Sequence, residues 1–249
     1  MCGSLAQARK GSSGSLDAKP IGLWVDLGVE GYLSTYCLQE QLNELCGRGE
    51  VPATVILVEH RPCVTLGRAS SSAHILADEE TLARVGVEVH VSDRGGDVTY
   101  HGPGQLVCYP ILNLREYGSD AHAHARRLEE IMIGTAAAFG VDAWRRTGYP
   151  GVWTTRGKLG SVGVGIRRWV TMHGAALNVC PDLTAFDFIV PCGLQNVAVT
   201  SLEQILGRPV ELAQARAALQ RSCARVFGLS FVATTRDDLI RTMAGEGSW

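Results

Sequence analysis

The sequence of 249 residues lacks the features that define several protein classes. No apolar run reaches the ~18 residues of a membrane span, and the best stretch, residues 131–141, contains Gly134 and Thr135. The formal net charge of −2 includes no excess of positive charge, which argues against a broad nucleic-acid-binding surface. No Gly-x-Gly-x-x-Gly motif follows a predicted strand, which argues against a dinucleotide-binding fold. We therefore expect a globular protein with no nucleic-acid and no membrane partner.

Paired cysteines are also lacking, because none of the eight cysteines belongs to a Cys-x-x-Cys motif. No apolar signal segment precedes them, so we expect reduced thiols and a cytoplasmic location. A zinc site needs closely spaced ligand pairs, and only His122 and His124 come close, so we expect no bound metal. Most of the thiols are expected to be small buried hydrophobic groups. The eight are Cys2, Cys37, Cys46, Cys63, Cys108, Cys180, Cys192 and Cys223.

The chain shows no internal repeat and no linker, which indicates a single domain. Residues 1–20 are rich in Ser, Gly and Ala and are expected to form a flexible tail, although the same composition is compatible with an organelle transit peptide. Residues 21–249 are expected to form the domain, and this length buries a core without disulfides or metal.

Helical spacing of apolar residues predicts a first helix over residues 32–46, ended by Gly47. A second helix begins after Ser119 or Asp120 and ends at Gly140. The residues expected to face inward are Leu33, Cys37, Leu38, Leu42 and Leu45 in the first helix and Ala125, Leu128, Met132 and Ala136 in the second.

Two further helices are predicted nearer the end of the chain. Ser201 and Gln204 form a capping box for a short helix that ends at Gly207. The last helix covers residues 211–227 and is stopped by Gly228.

Strands outnumber helices in the predicted order. Residues 54–59 form a continuous apolar run typical of a buried strand, and the alternating valines of 85–91 predict a half-buried one. Residues 106–114 predict another, in which Pro110 marks an edge or a bulge. Residues 151–179 predict a meander of three strands, which favours the α+β class with antiparallel pairing. The turns of the meander are placed at Arg156-Gly157 and Arg167-Arg168.

The most unusual segment is Gly-rich and covers residues 94–105, with the sequence RGGDVTYHGPGQ. Its four glycines permit positive φ and a close approach of the backbone to a ligand, and its N–H groups can cradle an oxyanion or a phosphate. Arg94 adds a fixed cation and His101 a titratable donor. The alternative interpretation is a strained turn with a capping histidine.

Three later segments also carry candidate chemistry. Lys158 follows a turn among small residues, where a solvated surface charge is the ordinary alternative. The small residues of 172–178 leave room for a bound chain, although they are equally typical of close packing. Cys192 lies between Pro191 and Gly193 in a predicted exposed loop, and exposure is what a nucleophile needs. A loop cysteine with no chemical role is the alternative.

Taken together, these segments resemble the lipoyl(octanoyl) transferase family, whose members move an octanoyl group from acyl carrier protein to lipoyl domains. The resemblance extends in the same order over residues 54–206. It also includes Glu59-His60-Arg61-Pro62, Thr65-Leu66-Gly67-Arg68 and Val199-Thr200-Ser201. It implies a fold like that of lipoate and biotin protein ligases, which is a mixed, largely antiparallel sheet flanked by helices.

The resemblance also implies roles for individual residues. Cys192 would take the acyl group as a thioester, and Lys158 would favour the thiolate and act as acid and base. No cofactor is implied. The substrate-binding residues would be Arg94, Gly95, Gly96, Asp97, Val98, Thr99, Tyr100, His101, Ser161, Val162, Gly163, Gly174, Ala175 and Ala176.

The implied reaction transfers an octanoyl or lipoyl group in the first step of endogenous lipoate biosynthesis. The donor would be octanoyl-acyl carrier protein. The acceptors would be lipoyl domains of 2-oxo acid dehydrogenase complexes and the glycine cleavage H protein. We expect the protein to act as a monomer.

Three alternatives stay open. An ATP-dependent lipoate–protein ligase shares the fold and a similar Gly-rich loop, but it activates the acid as an adenylate and needs no nucleophilic cysteine. A hydrolase would pair Cys192 with His101 or His173. A non-enzymatic binding module would dock carrier domains and use the Gly-rich loop as a lipid cradle. The cysteine between Pro191 and Gly193 favours the transferase.

Overall fold

A computed structural model describes residues 19–193 and 197–245. Nearly all of the predicted tail, residues 1–18, and with it Cys2, lies outside the described residues. The strands are β1 (Ile21–Glu30), β2 (Thr54–His60), β3 (Cys63–Leu66), β4 (Glu88–Val91), β5 (Val98–His101), β6 (Gln105–Ile111), β7 (Trp144–Arg146), β8 (Tyr149–Thr154), β9 (Gly157–Arg167), β10 (Val170–Asn178) and β11 (Ser230–Thr234). The helices are α1 (Tyr32–Arg48), α2 (Glu79–Arg84), α3 (Ala121–Ala137), α4 (Leu202–Leu206), α5 (Leu212–Phe227) and α6 (Arg236–Met243).

The strands form two sheets. The larger has eight strands in the order β11-β1-β2-β6-β10-β9-β8-β7, and the smaller has the order β4-β3-β5. β1 pairs in parallel with β11 and β2, whereas the run from β2 to β7 is antiparallel. The predicted α+β class with a mixed, largely antiparallel sheet flanked by helices is therefore confirmed.

The large sheet is covered differently on its two faces, because alternate residues of a strand point to opposite sides. On one face, Leu57 of β2 packs in a core with Leu128 of α3 and Leu219 of α5. On the other face, Val58 packs with Leu42 of α1. The small sheet lies apart from both cores and has an apolar cluster of its own.

Several predicted elements are confirmed. The three strands of the meander are β8, β9 and β10, and each connecting turn lies one residue from its predicted place, at 155–156 and at 168–169. The Asp120 side chain caps α3 by accepting from the His122 and Ala123 N–H groups. Ser201 caps α4 by accepting from the Gln204 N–H.

Two helix ends were predicted wrongly by two residues. α1 continues past Gly47 to Arg48 and ends where Gly49 adopts φ 74°, so that its N–H reaches carbonyls of the last turn. α3 ends at Ala137 rather than near Phe139. Either of two neighbouring glycines can stop a helix, and packing decides between them.

The predicted inward face of α1 was also partly wrong. Leu33 and Cys37 are exposed, whereas polar residues of the same helix are buried. The Gln39 Oε1 atom accepts from the His173 N–H at 2.8 Å, and the Asn43 side chain donates to the Val170 carbonyl at 3.0 Å. These polar side chains are buried because they hydrogen-bond to the backbone of β10. The spacing of apolar residues alone therefore predicts the wrong buried face for α1.

The strand predicted for residues 85–91 is confirmed only over Glu88–Val91, and the prediction that it is half-buried was wrong. Asp78 caps the unpredicted helix α2, and Val85 follows its end. β4 begins at Glu88 and is an edge strand of the small sheet, in which Val91 is 87% exposed. The alternating valines of β4 therefore do not form a buried apolar face.

Pro110 lies in a central strand, so the edge interpretation was wrong. β6 pairs with β10 only as far as Ala175↔Cys108, and the ladder ends before Pro110. The missing N–H therefore breaks no pairing with β10. In addition, the 211–227 helix is not the last element, because β11 and α6 follow it, and β1 was not predicted.

Two properties of the described residues concern membrane insertion and metal binding. None of their helices combines the length and apolarity required to cross a membrane. The same part of the chain has no cluster of three or more His, Cys, Asp and Glu side chains suited to a metal ion.

His124 on α3 is a buried histidine whose ring stacks on Phe227 with centroids 6.2 Å apart. Neither of its ring nitrogens is hydrogen-bonded to any residue that the structure describes. Burial lowers the pKa of His124 to about 4. The unfolded chain therefore binds a proton near pH 6.5 that the folded protein does not, and stability falls as the pH drops from 6.5 toward 4.

We expect the His124→Leu variant to take up about one proton fewer on unfolding in this pH range than the unsubstituted protein. Between pH 6.5 and 4 its unfolding free energy should fall less steeply than that of the unsubstituted protein, by about 1.4 kcal/mol per pH unit. Urea unfolding at several pH values measures the two slopes. Burial lowers the pKa values of His60 and His101 to about 4 and about 3. Both proteins therefore keep the part of the pH dependence of stability that these two histidines contribute. Equal slopes would contradict the assignment.

Candidate active site

Cys192 lies in a short turn, Pro191–Gly193, whose backbone is held in an uncommon conformation. Cys192 has φ 57° and Gly193 has φ 66°, both in the left-handed region. A β-carbon on Gly193 would collide with Oδ2 of Asp97. The Val190 N–H donates to the His74 carbonyl at 2.8 Å. Glycine is therefore required at position 193 by both conformation and space.

Lys158 is buried at the start of β9 and reaches Cys192. Its side chain donates from Nζ to the Cys192 Sγ at 2.9 Å, and the residue is only 3% exposed. The Lys158 N–H donates to the Ala198 carbonyl at 2.8 Å, and its carbonyl accepts from the Thr200 N–H at 3.0 Å. The solvated surface charge considered for Lys158 is therefore wrong, and the two residues that the sequence analysis singled out are in contact.

Arg94 is a second buried cation at this site. It is 8% exposed and donates to the Thr65 side chain and carbonyl, with Nη2 2.7 Å from the carbonyl oxygen, and to the Gly95 carbonyl. Among the described residues, no carboxylate lies at ion-pair distance from it. Burial lowers the pKa of Arg94, and the nearby Cys192 is the largest influence that opposes this. Among the described residues the positive charge of Arg94 is therefore not neutralised by an ion pair with an acid, and it acts on the nearby thiol.

His101 is a neutral acceptor at the site. Gln105 donates from Nε2 to Asn178 Oδ1 at 2.9 Å, which turns its Oε1 toward His101 Nδ1, 2.6 Å away. His101 Nδ1 is therefore the protonated nitrogen and Nε2 has the lone pair. Burial lowers the pKa of His101 to about 3, so the ring stays neutral.

A cysteine–histidine pair is not found here. His173 Nε2 lies 2.7 Å from Asp93 Oδ1, and His101 is bonded to Gln105. Within the part of the chain that the structure describes, neither ring is hydrogen-bonded to Cys192. The geometry thus offers no support for the hydrolase that pairs Cys192 with either histidine.

These groups surround a cavity of about 180 Å³. It is walled by β6, β9 and β10 of the large sheet, by the Gly-rich segment and by the turn that contains Cys192. The residues that line it are Tyr32, Arg94, Gly96, Asp97, Thr99, His101, Val107, Tyr109, Gly148, Tyr149, Pro150, Lys158, Ser161, Val162, Gly163, His173, Gly174, Ala175, Ala176 and Cys192.

Most of the expected substrate-binding residues line this cavity, but Gly95, Val98 and Tyr100 do not. Val98 and Tyr100 belong to the core of the small sheet, because alternate residues of β5 point away from the cavity. The Gly95 N–H is bonded to the Val164 carbonyl at 2.8 Å, which joins the Gly-rich segment to β9.

Small residues of β9 and β10 line part of the cavity, and β9 adjoins the Gly-rich segment there. Gly163 pairs with Gly174 and Ser161 with Ala176. A β-carbon on Gly174 would collide with the Cys108 carbonyl, so this glycine is needed for close packing of β6 and β10 as well as for space. The close-packing interpretation considered for residues 172–178 is therefore confirmed at Gly174, and room for a bound chain stays a prediction.

The sequence analysis missed several lining residues, including Tyr32, Tyr109 and Tyr149. Tyr109 donates to or accepts from His60 Nε2 at 2.8 Å, and burial raises the pKa of Tyr109 well above its usual range. Alternation along β6 next to Cys108 could have indicated Tyr109. Tyr32 lies far from the other segments in sequence, and nothing local indicates its position.

A buried carboxylate anchors the second half of the Gly-rich segment. Glu59 Oε2 accepts from the Gly104 N–H at 2.7 Å, and its other oxygen is paired with Arg216 of α5. Burial of this charge is tolerated because it is both paired and hydrogen-bonded. The ion pair therefore ties the segment to the large sheet and its helix layer.

Sequence comparison assigns the chain to a known family. The model of the lipoyl protein ligase A/B catalytic domain matches residues 32–224. An octanoyltransferase of Syntrophotalea carbinolica is 52% identical over 192 residues, which are 77% of this chain and 88% of that protein. An octanoyltransferase of Geobacter metallireducens is 48% identical over 191 residues, which are 77% and 86% of the two chains. The chain belongs to the lipoyl protein ligase A/B catalytic domain family.

Solved structures of this kind share the fold. A bi-partite lipoate protein ligase of Thermoplasma acidophilum superposes with a TM-score of 0.70 at 17% identity, over 91% of each chain. A lipoate-protein ligase A bound with ATP has a TM-score of 0.69 at 16% identity, over 92% of this chain and 94% of that one. The resemblance to ligases in the expected fold is therefore confirmed at the level of architecture.

We expect the Gly193→Ala variant to weaken the Lys158–Cys192 contact. Alanine is strained at φ 66° by about 1–2 kcal/mol, and its β-carbon collides with Asp97. The displaced turn should slow alkylation of Cys192 by iodoacetamide roughly tenfold, measured by peptide mass spectrometry.

Gly140→Ala is the matched control. Gly140 has φ 73° and no atom within 4 Å of the β-carbon position, so the strain is similar and the collision is absent. Both variants should lose similar stability in urea, but only Gly193→Ala should lose thiol reactivity. Equal alkylation rates in the two variants would refute the steric argument.

Proposed function

We propose that this protein transfers an octanoyl group from acyl carrier protein to a lysine of a lipoyl domain, through a thioester on Cys192. The observation that supports it most directly is the 2.9 Å contact between Lys158 Nζ and Cys192 Sγ at the wall of the cavity. An ammonium group at this distance favours the thiolate, which is the nucleophilic form of cysteine.

The relatives support the same reaction class. Proteins named octanoyltransferase are 52% and 48% identical to this chain over most of both lengths. The chain is accordingly an acyltransferase of lipoate biosynthesis. Its Gly-rich segment, Lys158 and Cys192 are the parts of the chain that this acyl transfer requires. We propose Cys192 and Lys158 as the catalytic residues.

The first half-reaction moves the acyl group onto the enzyme. The Cys192 thiolate attacks the thioester carbonyl of the donor, and the bond from that carbon to the carrier sulfur breaks. The Lys158 ammonium gives its proton to the leaving sulfur and becomes neutral. One thioester replaces another, so the step needs no ATP.

The second half-reaction moves the acyl group to the acceptor. The lysine amine attacks the thioester, and the bond from the acyl carbon to Cys192 breaks with its electron pair on sulfur. The surplus proton on nitrogen passes to neutral Lys158, which restores the ammonium–thiolate pair. The amide formed is more stable than the thioester, and this difference drives the reaction.

The cavity fits a narrow acyl chain. Ser161, Gly163, Gly174 and Ala176 present little or no side chain along two paired strands, and Arg94 packs against Gly163. We propose that the lining residues among Arg94–His101, Ser161–Gly163 and Gly174–Ala176 contact the octanoyl or lipoyl group.

The donor and acceptors follow from this reaction. Octanoyl-acyl carrier protein supplies the thioester, and lipoyl domains of 2-oxo acid dehydrogenase complexes or the glycine cleavage H protein supply the lysine. A T. acidophilum structure with this fold is described together with its E2 lipoyl domain. We propose that one chain suffices for both half-reactions and that they take place in the cytoplasm.

Cys192→Ser should abolish the acyl-enzyme. Incubation with octanoyl-acyl carrier protein, without ATP, should add one octanoyl group to the unsubstituted protein in intact-mass spectrometry and none to the variant. Cys37→Ser is the control, because Cys37 is an exposed thiol outside the cavity lining. An octanoylated Cys192→Ser protein would refute the thioester on this residue.

The same incubation tests the ligase alternative. A lipoate–protein ligase would modify a lipoyl domain only when free acid and ATP are both supplied. A complete dependence on ATP would overturn the transferase, and rapid release of free octanoate in place of transfer would indicate a hydrolase.

Lys158→Ala should slow formation of the acyl-enzyme by about 10²-fold or more, because both the thiolate's counter-charge and the proton donor are removed. The pH optimum of acylation should move upward. Lys158→Arg is the control, because arginine keeps the charge but does not exchange the proton. An unchanged pH profile in Lys158→Ala would contradict the assignment.

A further inference from the structure

A close contact between His74 and Asp97 lies against the turn that contains Cys192. His74 ends a short 3-10 turn, Ser72–His74, and its Nδ1 lies 2.7 Å from Asp97 Oδ2. Asp97 lines the cavity and its side chain is 12% exposed, whereas that of His74 is 31% exposed. The pair therefore connects the interior of the cavity with solvent.

Asp97 is held firmly at this position. Its Oδ1 accepts from the Val98 N–H at 2.7 Å, and its Oδ2 fills the space in which Gly193 lacks a β-carbon. The carboxylate thus packs directly on the residue that follows Cys192. Among the lining residues in the described part of the chain, it is the only carboxylate, alongside the cations Arg94 and Lys158.

The proton balance of the proposed reaction leaves one proton without an acceptor. A free lysine side chain has a pKa of about 10.4, so the acceptor lysine arrives as an ammonium group. It must lose one proton before it attacks and a second one afterwards. Lys158 becomes neutral during acylation and takes up only the second proton.

The charges in the cavity also change during acylation. Cys192 becomes a neutral thioester and Lys158 a neutral amine, while Arg94 keeps its positive charge. An arriving ammonium group then needs a negative partner inside the cavity. Asp97 has that charge and lies beside the turn that holds the thioester.

We propose that Asp97 binds the ammonium group of the acceptor lysine and, with His74, removes its first proton. The N–H bond of the ammonium breaks, its electron pair stays on nitrogen, and the proton passes through the carboxylate and the imidazole to solvent. The neutral amine then attacks the Cys192 thioester. The role rests on the proposed function and concerns its second half-reaction.

The test separates the two half-reactions. Acyl-enzyme formation from octanoyl-acyl carrier protein is timed by intact-mass spectrometry without an acceptor, and the purified acyl-enzyme is then mixed with a lipoyl domain. Asp97→Asn keeps an oxygen that can accept from the Val98 N–H but has no charge. We expect the rate of the second step, relative to the first, to fall at least ~10-fold. Asp97→Glu should recover part of it, and His74→Asn should also lower the ratio.

A neutral nucleophile distinguishes chemistry from loop positioning. Hydroxylamine is uncharged at neutral pH and needs no deprotonation, so it should cleave the Asp97→Asn and unsubstituted acyl-enzymes at similar rates. Asp237→Asn, an exposed aspartate on α6, is the matched control and should leave both steps unaltered.

The possible outcomes are distinct. If Asp97→Asn slows hydroxylamine and lysine equally, or slows both half-reactions equally, the role is structural and the proposal is wrong. An unaltered ratio of the two rates would also overturn it. If the unsubstituted protein forms no acyl-enzyme, the proposed function itself fails and this inference fails with it.

Discussion

The contact between Lys158 and Cys192 depends on burying an ammonium group near the start of β9, which is costly unless the charge has a partner. Much of the surrounding structure serves this requirement. β8 pairs with the Lys158 backbone on one side, and the chain at Ala198 and Thr200 is hydrogen-bonded to it on the other. Cys192 is turned toward it by a left-handed conformation that the adjoining Gly193 extends.

Arg94 shows a related constraint in the Gly-rich segment. Its guanidinium is buried against neutral oxygens of Thr65 and Gly95, so the site retains net positive charge around the thiol. Such an arrangement favours anionic states of the reacting atoms, whether thiolate or oxyanion. The small residues of β9 and β10 complement it, since they leave space for an uncharged chain beside these polar groups.

Local patterns in the sequence were sufficient for the strands of the meander and for the capped starts of α3 and α4, whereas the joint role of the four segments was implied by the family resemblance. They failed where the deciding interaction is distant in sequence. Gln39 and Asn43 are buried because β10 needs their hydrogen bonds, and Pro110 is tolerated in a central strand because a neighbouring ladder stops. The partnership of His74 with Asp97 likewise depends on folding, because no spacing rule joins the two residues.

The hydrogen bonds that hold Lys158 come from the same stretch of chain that contains Cys192. Gly193 directly follows Cys192, and Ala198, five positions further along the chain, accepts a hydrogen bond from the Lys158 N–H. The positions of Lys158 and Cys192 therefore depend on the same stretch of chain rather than on two independent ones. A change in the length of chain between these two points would disturb both members of the pair at once, even though neither residue would have been replaced.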